Sequence, residues 1–280
     1  MSEASRQAHS AGRGNGPGRR LGAGYWRLLA LVTLGSGVGC LDEGRLNAVE
    51  RLDRGLVVVL PGIEGPSVWN RALVLGLDKG GVDCAIRRHE WGTPVPGGFL
   101  INLTDIERNR HEADRLRDEL VDYMTAYPGR PVQLVGHSGG AGIALMATER
   151  MPADAPVTAV FLLAASVSPG YDLRPALART SSEIVNCYSE LDAILLGPGT
   201  MIAGTIDRAH SVSAGKVGFQ QRSTLSPLNH RDVAVLRQEA WTPAMAKLGN
   251  DGGHFGWTDQ RFVRKWLAPR LCRHLGRRTR

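Results

Sequence analysis

Of 280 residues only four are cysteine, at positions 40, 84, 187 and 272, and no two stand in a C-x-x-C spacing. A zinc site and a dense disulfide framework are therefore excluded, and Cys84 and Cys187 fall in apolar runs where a free cysteine acts as a small hydrophobe. Glycine is abundant but keeps no three-residue period, and no longer unit recurs, which rules out collagen, solenoids and propellers. There is no G-x-G-x-x-G behind a strand, no Walker-type G-K-[ST] and no H-E-x-x-H; His111-Glu112 lacks its second histidine. Asp207 and His210 have the i, i+3 spacing without further ligands beside them. No cofactor and no metal are expected.

Acidic residues are nearly missing from the first part of the chain, where Glu3 is the sole carboxylate before Asp42 while Arg6, Arg13, Arg19, Arg20 and Arg27 supply five positive charges. Without residues 1–39 the formal charge of +7 falls to +3, so no nucleic-acid partner is implied. The basic leader runs into an uncharged stretch, Leu28–Val38, followed by small residues. That stretch is too short for the roughly 20 apolar residues of a bilayer span, and it has the pattern of an export signal. Gly37-Val38-Gly39-Cys40 resembles the lipobox of bacterial lipoproteins, with Gly37 where that pattern has an aliphatic residue. The resemblance implies an exported, periplasmic or cell-envelope protein with Cys40 as lipidation site and membrane tether. Paired Arg19-Arg20 is read as leader charge, since Leu21-Gly22-Ala23 does not continue a twin-arginine motif.

The organisation that follows is a leader at 1–39, a charged connector at 40–54 and one domain at 55–280. With 42% hydrophobic and 22% charged residues, the chain has enough apolar content for a substantial core. Unbroken aliphatic runs at Gly55–Leu60, Val82–Ile86, Val132–Val135, Val157–Ala164 and Glu183–Tyr188 predict strands covered on both faces. Apolar spacing predicts helices at Ser67–Leu77 and Asp105–Tyr127, and Gly139–Met151 and Tyr171–Arg179 supply two more, each following a strand. Lys216–Gln220 reads as a further short strand, Arg231–Leu248 as helical up to a break near Pro243, and Asp259–Leu275 as the final helix. Strand and helix alternate, which calls for a three-layer α/β/α sandwich with a mostly parallel sheet. Any cover over a site would come from residues 93–104 or 193–229. Asn102-Leu103-Thr104 matches a glycosylation acceptor, a pattern frequent by chance.

The segment that carries chemistry is Gly136-His137-Ser138-Gly139-Gly140, set between an apolar strand and a helix. A G-x-S-x-G turn in that context lifts the serine hydroxyl clear of the sheet on a strained backbone, and the sharp reversal leaves room only for glycine beside it. His137 is expected to pack beside the strand rather than titrate.

These residues resemble the α/β-hydrolase superfamily over about 55–275. The resemblance implies an α/β-hydrolase fold and a nucleophile, acid and histidine in that chain order. Ser138 is then the nucleophile. The acid follows the strand ending at Tyr188, which makes Asp192 the first choice, with Glu190 and Asp207 as alternates. The base is His254, in the loop Asp251-Gly252-Gly253-His254-Phe255-Gly256 before the final helix, with His210 as alternate. The oxyanion hole draws on the N–H of Gly139 and on the loop Pro61-Gly62-Ile63-Glu64-Gly65, where Ile63 is the expected second donor. The implied activity is serine hydrolysis of a small-molecule or lipid acyl substrate, most simply a carboxylic ester, through an acyl-enzyme. Acyl transfer or thioester cleavage by the same triad, and a catalytically silent exported binding scaffold, are the alternatives. Nothing in the sequence speaks to oligomeric state.

Overall fold

The computed structural model describes residues 42–93, 102, 104–193, 205–207, 212–220 and 234–275. The chain divides between Val38 and Gly39, and every described residue belongs to the second part. The leader 1–39, Cys40, His210 and His230 lie outside the described residues.

Gly55–Leu60 supplies strand β1 (Leu56–Leu60), buried throughout. Leu56, Val58 and Leu60 pack into one apolar cluster, Val57 and Val59 into another. Coverage on both faces is the reason no polar alternation interrupts the run. With β2 (Ala85–Arg88), β3 (Val132–His137), β4 (Val157–Leu163), β5 (Thr180–Tyr188) and β6 (Val235–Ala240) it forms a six-stranded sheet in the order β2-β1-β3-β4-β5-β6. Each neighbouring pair is parallel.

Two short helices, α1 (Glu43–Leu46) and α2 (Val49–Leu52), precede β1. Helix α3 (Val68–Lys79) covers one face of the sheet, its first turn capped by Ser67 Oγ, which accepts from the Asn70 N–H. Helices α4 (Ile106–Ala126), α5 (Gly139–Glu149) and α6 (Arg174–Leu177) cover the other. Two small helices follow, α7 (Ala214–Val217) and α8 (Pro243–Ala246). The chain then returns to the α3 face through α9 (Gln260–Phe262), a π-helical turn at Val263–Leu267 and α10 (Ala268–Leu275). This is the three-layer α/β/α arrangement with a parallel sheet expected from the alternation of runs. After β1 the chain moves outward to β2, then crosses to β3 on the other side of β1. The ends of β1 and β3 thus flank a topological switch point, where open α/β sheets leave a crevice.

Four readings differ from the structure. Val235–Ala240 is the edge strand β6, not a helix: four of its six residues are exposed and none is buried, so its charges Arg237 and Glu239 imitate a helical surface. Lys216–Gln220 is not a strand. Its first residues belong to α7, and the Gln238 side chain takes the place of a seventh strand by accepting from the Phe219 N–H and donating to the Phe219 carbonyl. The final helix carries its π-turn just before Pro269, a residue with no N–H to complete a regular ladder. The stretch read as a charged connector holds α1 and α2.

Arg51 fastens α2 to the sheet edge. Its side chain is 12% exposed and donates to the carbonyls of Cys84 and Val82 and to Asp78, which also binds Arg45. Burial pushes the Asp78 carboxyl up, but its hydrogen bond and ion pair with Arg45, and then Arg51, outweigh this and hold it below the usual carboxylate range. The pairing therefore stabilises the fold above the ordinary carboxylate pKa and is lost as pH falls through the depressed value. Arg51→Ala is expected to lower unfolding free energy in urea by about 2–4 kcal/mol at neutral pH. Asp78→Asn should flatten the acid limb of the stability profile. An unchanged urea midpoint in Arg51→Ala would contradict this account of the clamp.

Candidate active site

The junction of β3 and α5 bends at Ser138, whose φ is 54° and ψ −121°, one of two non-glycine residues with positive φ among those described. Its backbone is held on three sides. The Ser138 N–H donates to Leu163 O (2.9 Å), and Ser138 O accepts from Ala141 (3.1 Å) and Ser166 (3.1 Å). These bonds tie the bend to β4 and the first turn of α5, which is how an unfavourable conformation is sustained. A Cβ on Gly136 would stand 2.6 Å from Ala141 Cα, and one on Gly140 would stand 2.3 Å from Pro61 O and 2.6 Å from Leu60 O. The motif glycines let α5 pass directly over β3 and the end of β1.

Gly139 opens α5, so its N–H is one of the donors a helix start leaves unpaired. A Cβ there would meet Ile63 Cγ2 at 2.7 Å, which sets Ile63 and Gly139 side by side. The Pro61–Gly65 loop is pinned by side chains to which the sequence assigned no such part. Trp91 Nε1 donates to Pro61 O (2.8 Å), and Asn102 Nδ2 donates to Ile63 O (3.0 Å) while its Oδ1 accepts from Thr93 N (2.9 Å). With both amide atoms used and the residue 1% exposed, Asn102 is a structural brace rather than a glycan acceptor. Asn70 Nδ2 donates to Gly65 O (2.7 Å) and closes the loop from α3.

Asp192 and His254, sixty-two positions apart, meet through a 2.9 Å contact between Oδ1 and Nδ1, with both side chains buried. Asp192 is carried by a turn after β5 in which its N–H donates to Ser189 O and its carbonyl accepts from Lys216 Nζ. Glu190 is exposed, and Asp207 spends both oxygens on the Ser168 N–H. His254 is presented by a loop whose side chains fold it: Gly252 N–H donates to Asn250 Oδ1 and Gly253 N–H to Asp251 Oδ1, with Gly252 at φ 85°. Because a carboxylate only accepts, the contact places a proton on Nδ1, so that in the neutral ring Nε2 is the nitrogen with the free lone pair.

His137, next to Ser138, joins the two halves. Its Nε2 lies 3.0 Å from the His254 carbonyl, and the two rings are 4.8 Å apart. Complete burial, then the charge of His254, push the His137 pKa down to about 3, so it stays neutral. Phe255 stacks on Trp69 at 4.0 Å beside this pair. Ser138 Oγ has its hydrogen bond with Ser166 Oγ at 3.2 Å, and none to His254 is formed among the described residues. Ser166 and Glu64 were missed. A serine two residues past a strand and an acid inside a glycine turn carry no pattern of their own. Among the described residues no group of three or more His, Cys, Asp or Glu could hold a metal ion, and no helix is long and apolar enough to cross a membrane.

If the backbone approach at Gly140 sustains the bend, Gly140→Ala should cost on the order of 2–4 kcal/mol, seen as a clear fall in thermal midpoint. An unchanged midpoint would mean that β1 does not constrain α5.

No family model matches the chain, and no curated protein does. Among solved structures it is similar to esterase PE8 (18% identity over 76% of this chain and 92% of that one, TM-score 0.40). It is also similar to the esterase domain of a Rhodothermus marinus protein (13%, 82% and 90%, TM-score 0.45) and to a serine hydrolase without lid from Xanthomonas campestris (15%, 79% and 83%, TM-score 0.44). The role of each residue here rests on this chain's own geometry.

Proposed function

We propose that the protein is a serine hydrolase that cleaves an acyl bond, most simply a carboxylic ester, through Ser138, His254 and Asp192. The observation that carries the reading is the Asp192–His254 bond, which reserves Nε2 as the basic nitrogen of the neutral ring in a loop tied to His137, the residue beside the strained Ser138.

In this reading Nε2 of His254 takes the proton of Ser138 Oγ as that oxygen bonds the acyl carbon. The carbonyl electrons move to oxygen, and the oxyanion is held by the N–H groups of Gly139 and Ile63 at the start of α5. The carbon–oxygen bond to the leaving alcohol then breaks, and the alcohol departs with the proton from His254. Water repeats the sequence on the acyl-enzyme and frees Ser138. Asp192 keeps the proton on Nδ1 and stabilises the imidazolium that forms transiently. Ser166 Oγ holds the resting Ser138 hydroxyl, which must turn from it toward His254 for reaction. Trp69 and Phe255 offer an apolar surface next to the histidine, suited to an acyl chain or an apolar leaving group.

The leader and Cys40 extend the proposal to an exported protein held at the cell envelope by a lipid on Cys40. Intact mass of protein from a native membrane tests this: a chain starting at Cys40 with added acyl mass supports it, and an unmodified chain overturns it.

A fluorophosphonate probe should label the wild-type protein and leave Ser138→Ala unlabelled. Asp192→Asn, which reverses the favoured imidazole tautomer, should slow labelling and ester turnover by roughly three to four orders of magnitude. Absence of labelling in folded wild-type protein would favour a silent scaffold, in which the Ser138–Ser166 bond is permanent.

A further inference from the structure

Glu64 follows the expected oxyanion donor Ile63 directly, and the mechanism above gives it no part. Its side chain is 24% exposed overall, but Oε1 has no exposed surface and no hydrogen-bond partner among the described residues. The carboxyl folds back over its own loop: a Cβ on Gly62 would stand 2.1 Å from Oε2, a position only glycine leaves open without moving the acid. Oε1 lies 3.9 Å from Nδ1 of His137, another buried atom without a partner. Asn70 Oδ1, in the first turn of α3 behind the loop, is a third.

The proton inventory of these groups is constrained. The His254 carbonyl can only accept, so the 3.0 Å contact puts the single proton of neutral His137 on Nε2. Nδ1 is then a bare acceptor. An ionised Glu64 would set two buried, unpartnered acceptors, Oε1 and Nδ1, against each other. One proton on the carboxyl removes the conflict, because a carboxylic acid has an O–H to give.

We propose that Glu64 works as a neutral carboxylic acid whose O–H is directed at Nδ1 of His137, linking the oxyanion loop to the nucleophile strand and, through His137, to the backbone of His254. Glu64 is a positioning residue: it touches no reacting atom. The titratable groups that face it are His137 from β3 and His254 from its loop, and α3 presents only the Asn70 amide. Burial raises the carboxyl, while the charge of His254, Asn70 and the N–H groups of Glu64 and Gly62 draw it back. Its ionisation in alkali would break the link and add a negative charge beside the place where an oxyanion forms. The kinetic consequence rests on the proposed hydrolase reading; the protonation state does not.

Difference infrared spectroscopy of the full chain, wild type minus Glu64→Gln at about pH 7, is expected to show one protonated-carboxyl stretch that disappears in alkali. No such band would overturn the proposal. If the variant does not fold, wild-type protein labelled with 15N-histidine decides: His137 should be neutral with its proton on Nε2, and its Nδ1 signal should move as alkali titrates a neighbour. A proton on Nδ1, or an Nδ1 signal that ignores alkali, would overturn it. In fluorophosphonate kinetics the wild-type rate should fall roughly tenfold on the alkaline side, and Glu64→Gln, which cannot ionise, should lose that fall. An alkaline fall retained in the variant would contradict the link. Failure of all labelling would count against the hydrolase reading and leave the infrared result to judge Glu64.

Discussion

The sharp reversal at Ser138 is the constraint from which the rest of the site follows. A residue with a side chain is held at positive φ between a buried strand and a buried helix, at a cost of order 1–3 kcal/mol. The bend is sustained by bonds to Leu163, Ala141 and Ser166 and by the bare backbones of Gly136 and Gly140 against α5 and β1. Relaxing it would move the hydroxyl, the first N–H groups of α5 and the Ile63 loop together. The site is thus a property of the β1–β3 crevice and not of any one loop.

Polar groups around the bend are buried at a density that an apolar core would not tolerate. His137, Asn70, Asn102, Ser166, Asp192 and His254 are all under a tenth exposed; the first three bond backbone and the other three bond side chains. Asn102 and Trp91 hold the Pro61–Gly65 loop; Asn250 and Asp251 shape the turn that carries His254. Such an arrangement favours one geometry over others, because each misplaced group would lose a partner in a place without water. The buried acceptors Glu64 Oε1 and His137 Nδ1 stand out against that background, and one proton on the carboxyl would reconcile that pair.

Much of the layout was legible in the sequence. Continuous aliphatic runs located the inner strands because both faces of a parallel sheet are covered, the spacing of apolar residues located α4, and position after β3 located α5. Asp192 and His254, singled out in the sequence as loop residues after the strand ending at Tyr188 and before the final helix, lie in contact in the structure, whereas Glu190 is exposed. Failure came where tertiary context decides. β6 is an edge strand mostly exposed, so its charges resemble a helix surface; Gln238 replaces a strand by side-chain bonding that no periodicity announces. Glu64 and Ser166 are invisible as pattern because each acts by location, next to a glycine turn and past a strand end.

The most direct test of the central claim is a crystal structure of the protein after reaction with a phosphonyl fluoride. The account predicts phosphorus bonded to Ser138 Oγ, its phosphoryl oxygen within hydrogen-bonding distance of the Gly139 and Ile63 N–H groups, and His254 Nε2 facing the adduct. Phosphorus bound elsewhere, or an adduct with its oxygen turned away from both N–H groups and His254 out of reach, would contradict it.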